Sequence, residues 1–327
     1  MQIQAGQLAL VTGAGSGIGR ELARQLAAAG VHLALCDLDE TGLAETRAQS
    51  LADAPAGTRV TTRRVDVTRE DQLIALRDAV RAEHGSGQLH LLLNNAGIGG
   101  GGSFVDGDRT EWERTFAVCW QGVYLGCRTF LPMLIASPEA FLVNVSSVNG
   151  FWASLGPGVA HTAYSAAKFA VKGFTEALIT DLRLNAPHVR CAVVMPGHNG
   201  TGIAINTGRL LAGTDALALP AEAVAQARAR MIKAGAPVAD LPDEAIRRLI
   251  HQRGVEFRDK APTSAAQAAT IILDGVRAGR WRILVGEDAG RLDAMVRADP
   301  EQAYEPAFAE AWRSAATTLR PTPGEPS

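Results

Sequence analysis

Short apolar runs alternate with segments of helical periodicity along most of the chain. Glycines and a helix that ends near Ala29 follow the first apolar run, and long helical stretches are predicted over residues 108–135 and 164–184. The apolar runs predict seven strands, over residues 8–12, 31–36, 60–65, 89–93, 141–146, 189–195 and 282–285. Continuous apolar strands are typical of parallel sheets, because helices cover both of their faces. The pattern therefore predicts an α/β fold with a single doubly wound parallel sheet between two layers of helices.

Residues 198–263 depart from this alternation, because they place two helical patterns, at 220–234 and 243–252, between the last two predicted strands. A long excursion after the end of a strand is typical of a lid over a binding site. We therefore predict one domain over residues 1–319, enlarged by a substrate lid over 198–263. Prolines crowd residues 320–327, which are predicted to be a disordered tail.

Composition narrows the classes of partner. The formal net charge is −2 and no run of basic residues stands out, so we expect no nucleic-acid partner. No segment approaches the ~20 consecutive apolar residues of a membrane helix, and the N-terminal residues lack the pattern of a secretory signal. We therefore expect a cytoplasmic protein with no membrane partner. The cysteines are scattered without metal-ligand spacing, which predicts buried thiols and no metal site: Cys36, Cys119, Cys127 and Cys191.

A glycine-rich segment, TGAGSGIG at residues 12–19, lies between the first strand and the first helix. Glycines let the backbone turn tightly and approach a pyrophosphate, and the helix N-terminus adds free N–H groups and partial positive charge. The glycine spacing, TGxxxGxG, differs from the general dinucleotide pattern GxGxxG, and a simple turn is the alternative interpretation. Because the segment directly follows an N-terminal strand, we interpret it as a phosphate-binding loop.

Asp37 ends the second strand, close to the spacing expected for the acid that binds the adenosine ribose of a dinucleotide. A carboxylate there accepts hydrogen bonds from both ribose hydroxyls and repels the 2′-phosphate of NADP. The next residue, Leu38, is uncharged, and Ser16 brings no positive charge to the loop. These residues predict NAD as the cofactor, although Asp37 could also serve as a helix cap or a turn residue.

Tyr164 and Lys168 are four residues apart in a predicted helix, so their side chains share one face. A phenol with a pKa of ~10 is a poor base near neutral pH, and a neighbouring ammonium group lowers that pKa. Ser147 ends the fifth strand at the edge where parallel sheets bind ligands, and residues 94–97 follow the fourth strand at the same edge. A hydroxyl there can hold a substrate oxygen while Tyr164 exchanges a proton, and we expect Ser147 rather than Ser146 to do so.

In this order, the motifs together resemble the short-chain dehydrogenase/reductase family, in its compact branch. The resemblance runs over residues 7–202 and 263–286, and rests on TGAGSGIG at 12, Asp37, DV at 66, NNAG at 94, NVSS at 144, YSAAK at 164 and PGHNGT at 196. It implies a Rossmann-like fold and a homodimer or homotetramer. It also implies a catalytic set in which Tyr164 is the general acid/base, Lys168 tunes it and Ser147 orients the substrate.

The resemblance further implies a cofactor site along the edge of the sheet. Asp66 would contact adenine, Asn95 and Gly97 would flank the adenosine, and the turn that begins at Pro196 would lie beside the nicotinamide. The complete set of residues implied to bind NAD is Gly13, Ser16, Gly17, Ile18, Gly19, Asp37, Leu38, Asp66, Val67, Asn95, Ala96, Gly97, Tyr164, Lys168, Pro196, Gly197 and Thr201.

Two features depart from the family pattern. Where the family commonly has an asparagine in the long helix, in a pattern like VNxxGV, this chain has Cys119. A thiol is a weak partner for the water that this asparagine holds in the family. We therefore expect either an altered proton relay, through Gln121 or a backbone carbonyl, or a slower reaction. The gap between Ser147 and Tyr164 is also longer than usual, and the extra residues fall in a loop over 151–161.

The interpretation that follows is an NAD-dependent oxidoreductase that interconverts a secondary alcohol and a ketone. Phe151 and Trp152 are expected to line the pocket or to pack under their loop, and His161 and His198 to be structural rather than catalytic. Apolar lid residues predict a medium or bulky apolar substrate, unless they are only the inner faces of lid helices: Ile203, Ile205, Leu210, Leu211, Leu217 and Leu219.

Three alternatives stay open. The main one is a narrowly specific or non-catalytic NAD-binding sensor, for which Cys119 leaves room, although the set of Ser147, Tyr164 and Lys168 argues against it. A dehydratase or epimerase on the same fold usually has the loop spacing GxxGxxG. An enoyl reductase generally has its tyrosine and lysine further apart.

Overall fold

The strands predicted from the apolar runs all lie in one parallel sheet. The computed structural model describes residues 1–156, 159–233 and 235–317. The main sheet contains β1 (Leu8–Thr12), β2 (His32–Asp37), β3 (Val60–Arg64), β4 (Leu91–Asn94), β5 (Ala140–Val145), β6 (Val189–Pro196) and β9 (Arg282–Val285), and β7 (Asn199–Gly200) pairs separately with β8 (Thr263–Ser264). The main sheet has the order β3-β2-β1-β4-β5-β6-β9 with every pairing parallel, which confirms the predicted fold class.

Helices connect these strands. Those of the described residues are α1 (Gly17–Ala28), α2 (Glu40–Ala52), α3 (Glu70–His84), α4 (Arg109–Phe116), α5 (Gly122–Ile135), α6 (Thr162–Asn185), α7 (Ile203–Ala212), α8 (Ala221–Lys233), α9 (Asp243–Asp259), α10 (Ala265–Arg277), α11 (Glu287–Ala298) and α12 (Pro306–Thr317).

Successive side chains of β1 point to opposite faces of the sheet, and each face is covered by a different set of helices. Ala9 and Val11 lie in a core with residues of α1 and α10. Leu8 and Leu10 lie in a second core with residues of α3, α5 and α6. All four side chains are buried, which is why this strand reads as a continuous apolar run in the sequence.

A crevice opens at the carboxyl end of β1, because β1 pairs with β2 on one side and with β4 on the other. The connections from β1 and β4 therefore diverge, and sheets of this kind bind ligands at such a point. The Thr12 hydroxyl spans the crevice, where it accepts hydrogen bonds at 3.0 Å from the backbone amides of Asn95 and Ala96. These bonds fix the segment after β4 against the segment after β1.

The long helix predicted over residues 108–135 is interrupted. A π-helical turn, Ala117–Gln121, separates α4 from α5. Within this turn the buried Cys119 thiol donates a hydrogen bond to the backbone carbonyl of Ile98, at 3.1 Å. Such turns insert one extra residue into an α-helix and are frequent at functional sites. The apolar periodicity alone did not predict the interruption.

The insertion between β6 and β9 leaves and rejoins the body of the protein at one place. Strands β7 and β8 form a short parallel ladder that holds the two ends of the insertion side by side. Helices α8 and α9 share a small apolar core of their own. Both predicted helices are found, as α8 and α9, and α7 is a third helix that the sequence did not predict. Its sequence includes Gly208 and is weakly helical, and contacts with the rest of the fold stabilise it.

The described structure continues beyond β9 with two more helices. Helices α11 and α12 follow that strand and pack against the loop after β5 through Trp152, Leu292 and Phe308. No prediction from the sequence covered these two helices. The predicted tail over 320–327 lies outside the described residues.

The imidazole of His84, at the end of α3, is buried against β3, and its Nε2 lies 3.0 Å from the Thr61 hydroxyl. Burial, with a smaller contribution from the charge of Arg59, lowers the pKa of His84 to about 4. A histidine that is hard to protonate when folded but titrates normally when unfolded favours the unfolded state in acid.

We therefore expect the free energy of unfolding to fall as the pH decreases from about 6.5 to about 4, and His84→Gln to reduce this fall. Urea unfolding at pH 7.5, 6, 5 and 4 measures the slope. The control is His188→Gln, which replaces an exposed imidazole and should keep the wild-type slope. Identical slopes for His84→Gln and wild type would contradict the assignment.

Candidate active site

One large cavity lies over the crevice at the carboxyl ends of the strands, with a volume of about 990 Å³. It brings together predicted residues that are distant in sequence. Every predicted site residue except Gly19 lines it: Gly13, Ser16, Gly17, Ile18, Asp37, Leu38, Asp66, Val67, Asn95, Ala96, Gly97, Ser147, Tyr164, Lys168, Pro196, Gly197 and Thr201.

The glycine loop is shaped by close approaches of backbone to backbone. Gly13 has φ +65°, and a Cβ atom at this position would lie only 2.7 Å from Cα of Ala96. Gly19 does not line the cavity, and its part as a cofactor contact stays a prediction. It lies inside the first turns of α1, where a Cβ atom would overlap the Gly13 carbonyl oxygen and crowd the Asn95 amide nitrogen. Its role is to let the helix pack closely on the loop.

Asp37 holds the glycine loop from the end of β2. Its Oδ2 accepts a hydrogen bond from the Gly15 backbone amide at 2.8 Å, and its Oδ1 accepts one from the Asp39 amide at 3.0 Å. Asp39 also lines the cavity, and the sequence analysis missed it. The nearby Arg20 guanidinium donates to the Gly15 carbonyl of the loop at 2.6 Å and to the Glu45 carboxylate at 2.8 Å, and it does not line the cavity. This end of the cavity is therefore lined by carboxylates.

Asp66 and Val67 follow β3 at the same end. The Asp66 carboxylate accepts hydrogen bonds from the Thr68 hydroxyl at 2.7 Å and from Arg114 at 2.9 Å. Partial burial raises the pKa of Asp66, but the bonds from Thr68 and the charge of Arg114 outweigh burial, and the net pKa is lowered. The carboxylate is thus kept ionised. Val67 packs against Gly122, at the start of α5, where a larger residue would not fit.

The asparagines after β4 tie strand ends together. The Asn95 side-chain amide donates to the backbone carbonyls of Thr12 and Gly13, at 2.9 and 3.2 Å. The buried Asn94 amide donates to the Asn144 side chain at 2.9 Å, and Asn144 donates in turn to the Thr175 hydroxyl at 3.0 Å. This network links β1, β4, β5 and α6, which fixes the relative positions of the residues that line the cavity.

The two serines after β5 differ in their surroundings. The Ser146 hydroxyl donates to the backbone carbonyl of Lys168 at 2.7 Å, which ties β5 to α6. The Ser147 hydroxyl accepts a bond from the Asn149 amide at 3.1 Å and retains its own proton for donation. A side-chain hydrogen bond with Ser147 acts to lower the pKa of Tyr164. Of the two serines, Ser147 is therefore the one whose hydroxyl faces the phenol.

Tyr164 and Lys168 lie on one face of α6, as their spacing predicted. The Lys168 ammonium lies 5.4 Å from the centre of the Tyr164 ring and donates to the Val145 carbonyl at 2.9 Å. Burial raises the pKa of Tyr164, and the bond with Ser147 opposes this only in part. Burial also lowers the pKa of Lys168. The expected lowering of the phenol pKa is therefore not found, because burial disfavours both charged forms.

Cys119 lies close to this pair. A Cβ atom placed on Gly97 would be 3.5 Å from Lys168 Nζ and 3.8 Å from the Cys119 sulfur, so the ammonium and the thiol face the same small space. The thiol donates to the Ile98 carbonyl. Gln121 is exposed and does not line the cavity, so its predicted part in a proton relay was wrong. The Val145 carbonyl is the backbone group that Lys168 contacts.

The turn after β6 is anchored by Asp288 of α11. The buried Asp288 carboxylate accepts a bond from the His198 amide at 2.6 Å and leaves no room for a side chain at Gly197. His198 Nε2 lies 2.7 Å from the Phe257 carbonyl of α9, so this imidazole fastens the turn to the insertion. Burial raises the pKa of Asp288, although its backbone hydrogen bonds oppose the change.

Helix α7 closes the cavity from above. The Asn206 amide donates to the Ser16 hydroxyl at 3.0 Å, and the Thr207 hydroxyl accepts a bond from the Gly99 amide at 2.8 Å. Ile203 and Leu210 line the cavity, as predicted. Other predicted lid residues lie elsewhere: Ile205 packs against Gly254, Leu211 against Gly100, Leu219 lies in the core of α8 and α9, and Leu217 is largely exposed.

The far end of the cavity is mostly apolar. It is lined by Trp152, Leu155, His161, Leu292 and Trp312. The His161 ring lies 4.7 Å from the ring of Tyr164, and burial lowers the pKa of His161 to about 4, so the imidazole is neutral near pH 7. Phe151 does not line the cavity. Leu292 and Trp312 were missed, since no local motif marks a residue that reaches a site from the other end of the chain.

Among the described residues, no cluster of three or more histidine, cysteine or acidic side chains is arranged to hold a metal ion. None of the described helices combines the length and the apolar character needed to span a membrane.

The fold and the cavity define a Rossmann-like protein with a dinucleotide site. The profile of the short chain dehydrogenase family matches residues 7–209, which is more than half of the chain. SadH of Mycobacterium tuberculosis, which is named as an oxidoreductase, is 37% identical over 294 residues, covering 89% of this chain and 90% of SadH. The chain therefore belongs to the short-chain dehydrogenase/reductase family of oxidoreductases.

Solved structures of similar proteins contain either nicotinamide cofactor. A short-chain dehydrogenase/reductase from Burkholderia phymatum, in complex with NAD, is 31% identical with a TM-score of 0.72, and the match covers 94% of this chain and 98% of that one. A metagenomic short-chain oxidoreductase in complex with NADP is 32% identical with a TM-score of 0.53, covering 60% and 84% of the two chains. Family membership thus supports a nicotinamide cofactor without selecting one.

The close packing at Gly19 generates a prediction. Gly19→Ala is expected to lower the free energy of unfolding by about 1–3 kcal/mol, because the added methyl group displaces the Gly13 carbonyl. It should also weaken NADH binding, because the loop that follows β1 moves. Urea unfolding and fluorescence titration with NADH measure the two effects.

The matched control is Gly173→Ala, in α6, where nothing lies within 4 Å of the added Cβ atom. This variant should be as stable as wild type or gain up to about 1 kcal/mol, because alanine is the better helix former. If Gly19→Ala behaved like Gly173→Ala, the packing role of Gly19 would be wrong.

Proposed function

We propose that the protein is an NAD-dependent oxidoreductase that interconverts a secondary alcohol and a ketone, on a medium or bulky apolar substrate. The observation that carries the proposal is the juxtaposition of Ser147, Tyr164 and Lys168 at the wall of the cavity that the glycine loop and Asp37 also line. NAD, when bound, supplies the hydride acceptor of this chemistry.

The residues of the chain provide the proton chemistry. Ser147 accepts a bond from the Asn149 amide, so its hydroxyl proton, which is directed at the phenol, can be donated to a substrate oxygen that binds between the two groups. The Tyr164 phenol exchanges a proton with that same oxygen. The raised pKa of Tyr164 keeps the phenol protonated near neutral pH, ready to act as the acid that protonates a ketone oxygen. The Lys168 ammonium lies 5.4 Å from the centre of the phenol ring, and its charge stabilises the tyrosinate that alcohol oxidation needs.

Charge supports NAD over NADP. Asp37, Asp39 and Asp66 line the adenosine end, while Arg20 and Arg114 are paired with Glu45 and Asp66 and do not line the cavity. A 2′-phosphate placed there would meet carboxylates rather than guanidinium groups.

The reaction is tested by following NADH formation from NAD with a panel of aliphatic, cyclic and aromatic secondary alcohols. We expect turnover by wild type and a loss of about 100-fold to 10,000-fold in Tyr164→Phe, because the phenol proton is removed. The variant should still bind NADH in a fluorescence titration. NADH binding without turnover of any alcohol or ketone would favour the non-catalytic sensor instead.

The neighbouring serines supply a matched control for the same assay. Ser147→Ala should lower kcat about 100-fold or more. Ser146→Ala should lower the free energy of unfolding by about 1 kcal/mol, since it loses the bond to the Lys168 carbonyl, with kcat within a few-fold of wild type. The opposite ranking of kcat would assign the substrate hydroxyl contact to Ser146.

Cofactor choice is tested separately. The double variant Asp37→Asn and Leu38→Arg is expected to raise kcat/KM with NADP, relative to NAD, by at least about tenfold, because a cation replaces the repulsion of the 2′-phosphate. Asp39→Asn is the control and should change the ratio less, because Asp39 caps α2 through the Gly42 amide. A wild-type enzyme that already prefers NADP would refute the assignment.

The expected homodimer or homotetramer and the cytoplasmic location stay predictions.

A further inference from the structure

The C-terminal segment after β9 folds back onto the loop that follows the catalytic serine. The Trp152 indole nitrogen donates to the Ala303 carbonyl at 2.7 Å, and the Tyr304 hydroxyl accepts a bond from the Ala153 amide at 3.1 Å. The rings of Trp152 and Phe308 lie 5.6 Å apart. The loop after β5 and the C-terminal segment thus meet at one edge of the cavity.

Two residues of this segment reach the cavity itself. Leu292, on α11, is 1% exposed, and Trp312, on α12, is partly buried; both line the cavity. The match to the family profile ends at residue 209, so neither position belongs to the part of the chain that the profile describes. The cofactor loop and the proton-transfer residues lie within that part. The C-terminal segment therefore adds a side to the cavity that the cofactor loop and the proton-transfer residues do not need for their chemistry.

We propose that Leu292 and Trp312, together with Trp152, form a specificity wall that binds the apolar substituent of the substrate, and that Trp312 is its main determinant. The inference rests on the proposed function, because Ser147 and Tyr164 would hold the carbinol oxygen of the same substrate. An indole and an isobutyl side chain offer dispersion contacts and exclude water, but no charge. The wall suits an extended alkyl chain or a ring system rather than a polyol.

Trp312 is the residue to vary, because Trp152 and Leu292 are built into the core. Trp152 is 3% exposed and its indole nitrogen is bonded to Ala303, so its removal would disturb the loop as well as the wall. Trp312 is less buried and lies on the last described helix. Truncating Trp312 removes apolar surface from the cavity and should lower the stability of the fold less than truncating Trp152 or Leu292.

The experiment measures kcat/KM with NAD for 2-butanol, 2-hexanol, 2-octanol and 2-decanol. Each methylene that reaches the wall should raise kcat/KM of wild type by up to about fourfold, the factor expected for burying one such group. Trp312→Ala should lower kcat/KM on 2-decanol at least tenfold, mainly through KM, and the loss should shrink as the alcohol shortens. Trp312→Phe keeps an aromatic ring, so its kcat/KM on 2-decanol should lie between those of wild type and Trp312→Ala.

The matched control is Trp281→Ala, which removes a tryptophan that is 45% exposed and outside the cavity; it should keep the wild-type dependence on chain length. A loss of equal size on every alcohol in Trp312→Ala, or in Trp312→Phe if the alanine variant does not fold, would overturn the wall and assign Trp312 to stability alone. Circular dichroism melting reports which variants fold.

Failure of the proposed function is recognised separately. If wild type turns over none of the alcohols, the specificity wall is tested by binding instead. Calorimetry then measures the equilibrium binding of 2-decanone in the presence of NADH. At least tenfold weaker binding by Trp312→Ala than by wild type supports it. Equal affinities, or no binding by wild type, overturn it.

Discussion

The Thr12 hydroxyl joins the end of β1 to the segment after β4, at the crevice on which the site depends. It accepts hydrogen bonds from the amides of Asn95 and Ala96, across the point where the connections from β1 and β4 diverge. The Asn95 side chain returns two bonds to the same loop. A divergent crevice offers unpaired backbone groups to a ligand, and without such cross-links it would also be free to widen. Because the glycine loop is fixed on one side and residues 94–97 on the other, the cavity keeps a defined width along the whole edge of the sheet.

Burial sets the chemistry of the polar residues at that edge. Burial raises the pKa of the Tyr164 phenol and lowers the pKa of the Lys168 ammonium group. It therefore favours the neutral form of each group. Cys119 lies at the same place with a thiol that is engaged by the Ile98 carbonyl. The Lys168 ammonium donates to the Val145 carbonyl, which fixes its position beside this thiol.

The sequence predicted the parts of the fold that depend on local patterns. Apolar runs located the strands of the sheet other than β3, whose sequence VTTRR is mostly polar. The glycine spacing located the loop, and the four-residue spacing placed Tyr164 and Lys168 on one face. Tertiary contacts decided the rest. Gly19 lies in the loop motif but packs a helix, Gln121 points to solvent, and α7 is held by Asn206 and Thr207 rather than by its own helical propensity. Trp312 reaches the cavity from the far end of the chain, and no motif of neighbouring residues could indicate that.

The short ladder between β7 and β8 has a consequence for how this family member could vary. It pairs Asn199 with Thr263 and Gly200 with Ser264, so the whole insertion is a closed loop whose ends are already side by side. The entropy of closing such a loop grows only with the logarithm of its length, by about 0.6 kcal/mol for each doubling. Helices can therefore be added to or removed from the insertion while the sheet, the glycine loop and α6 keep their register. The ladder between β7 and β8 thus lets the insertion differ in length and content without a change in the rest of the fold.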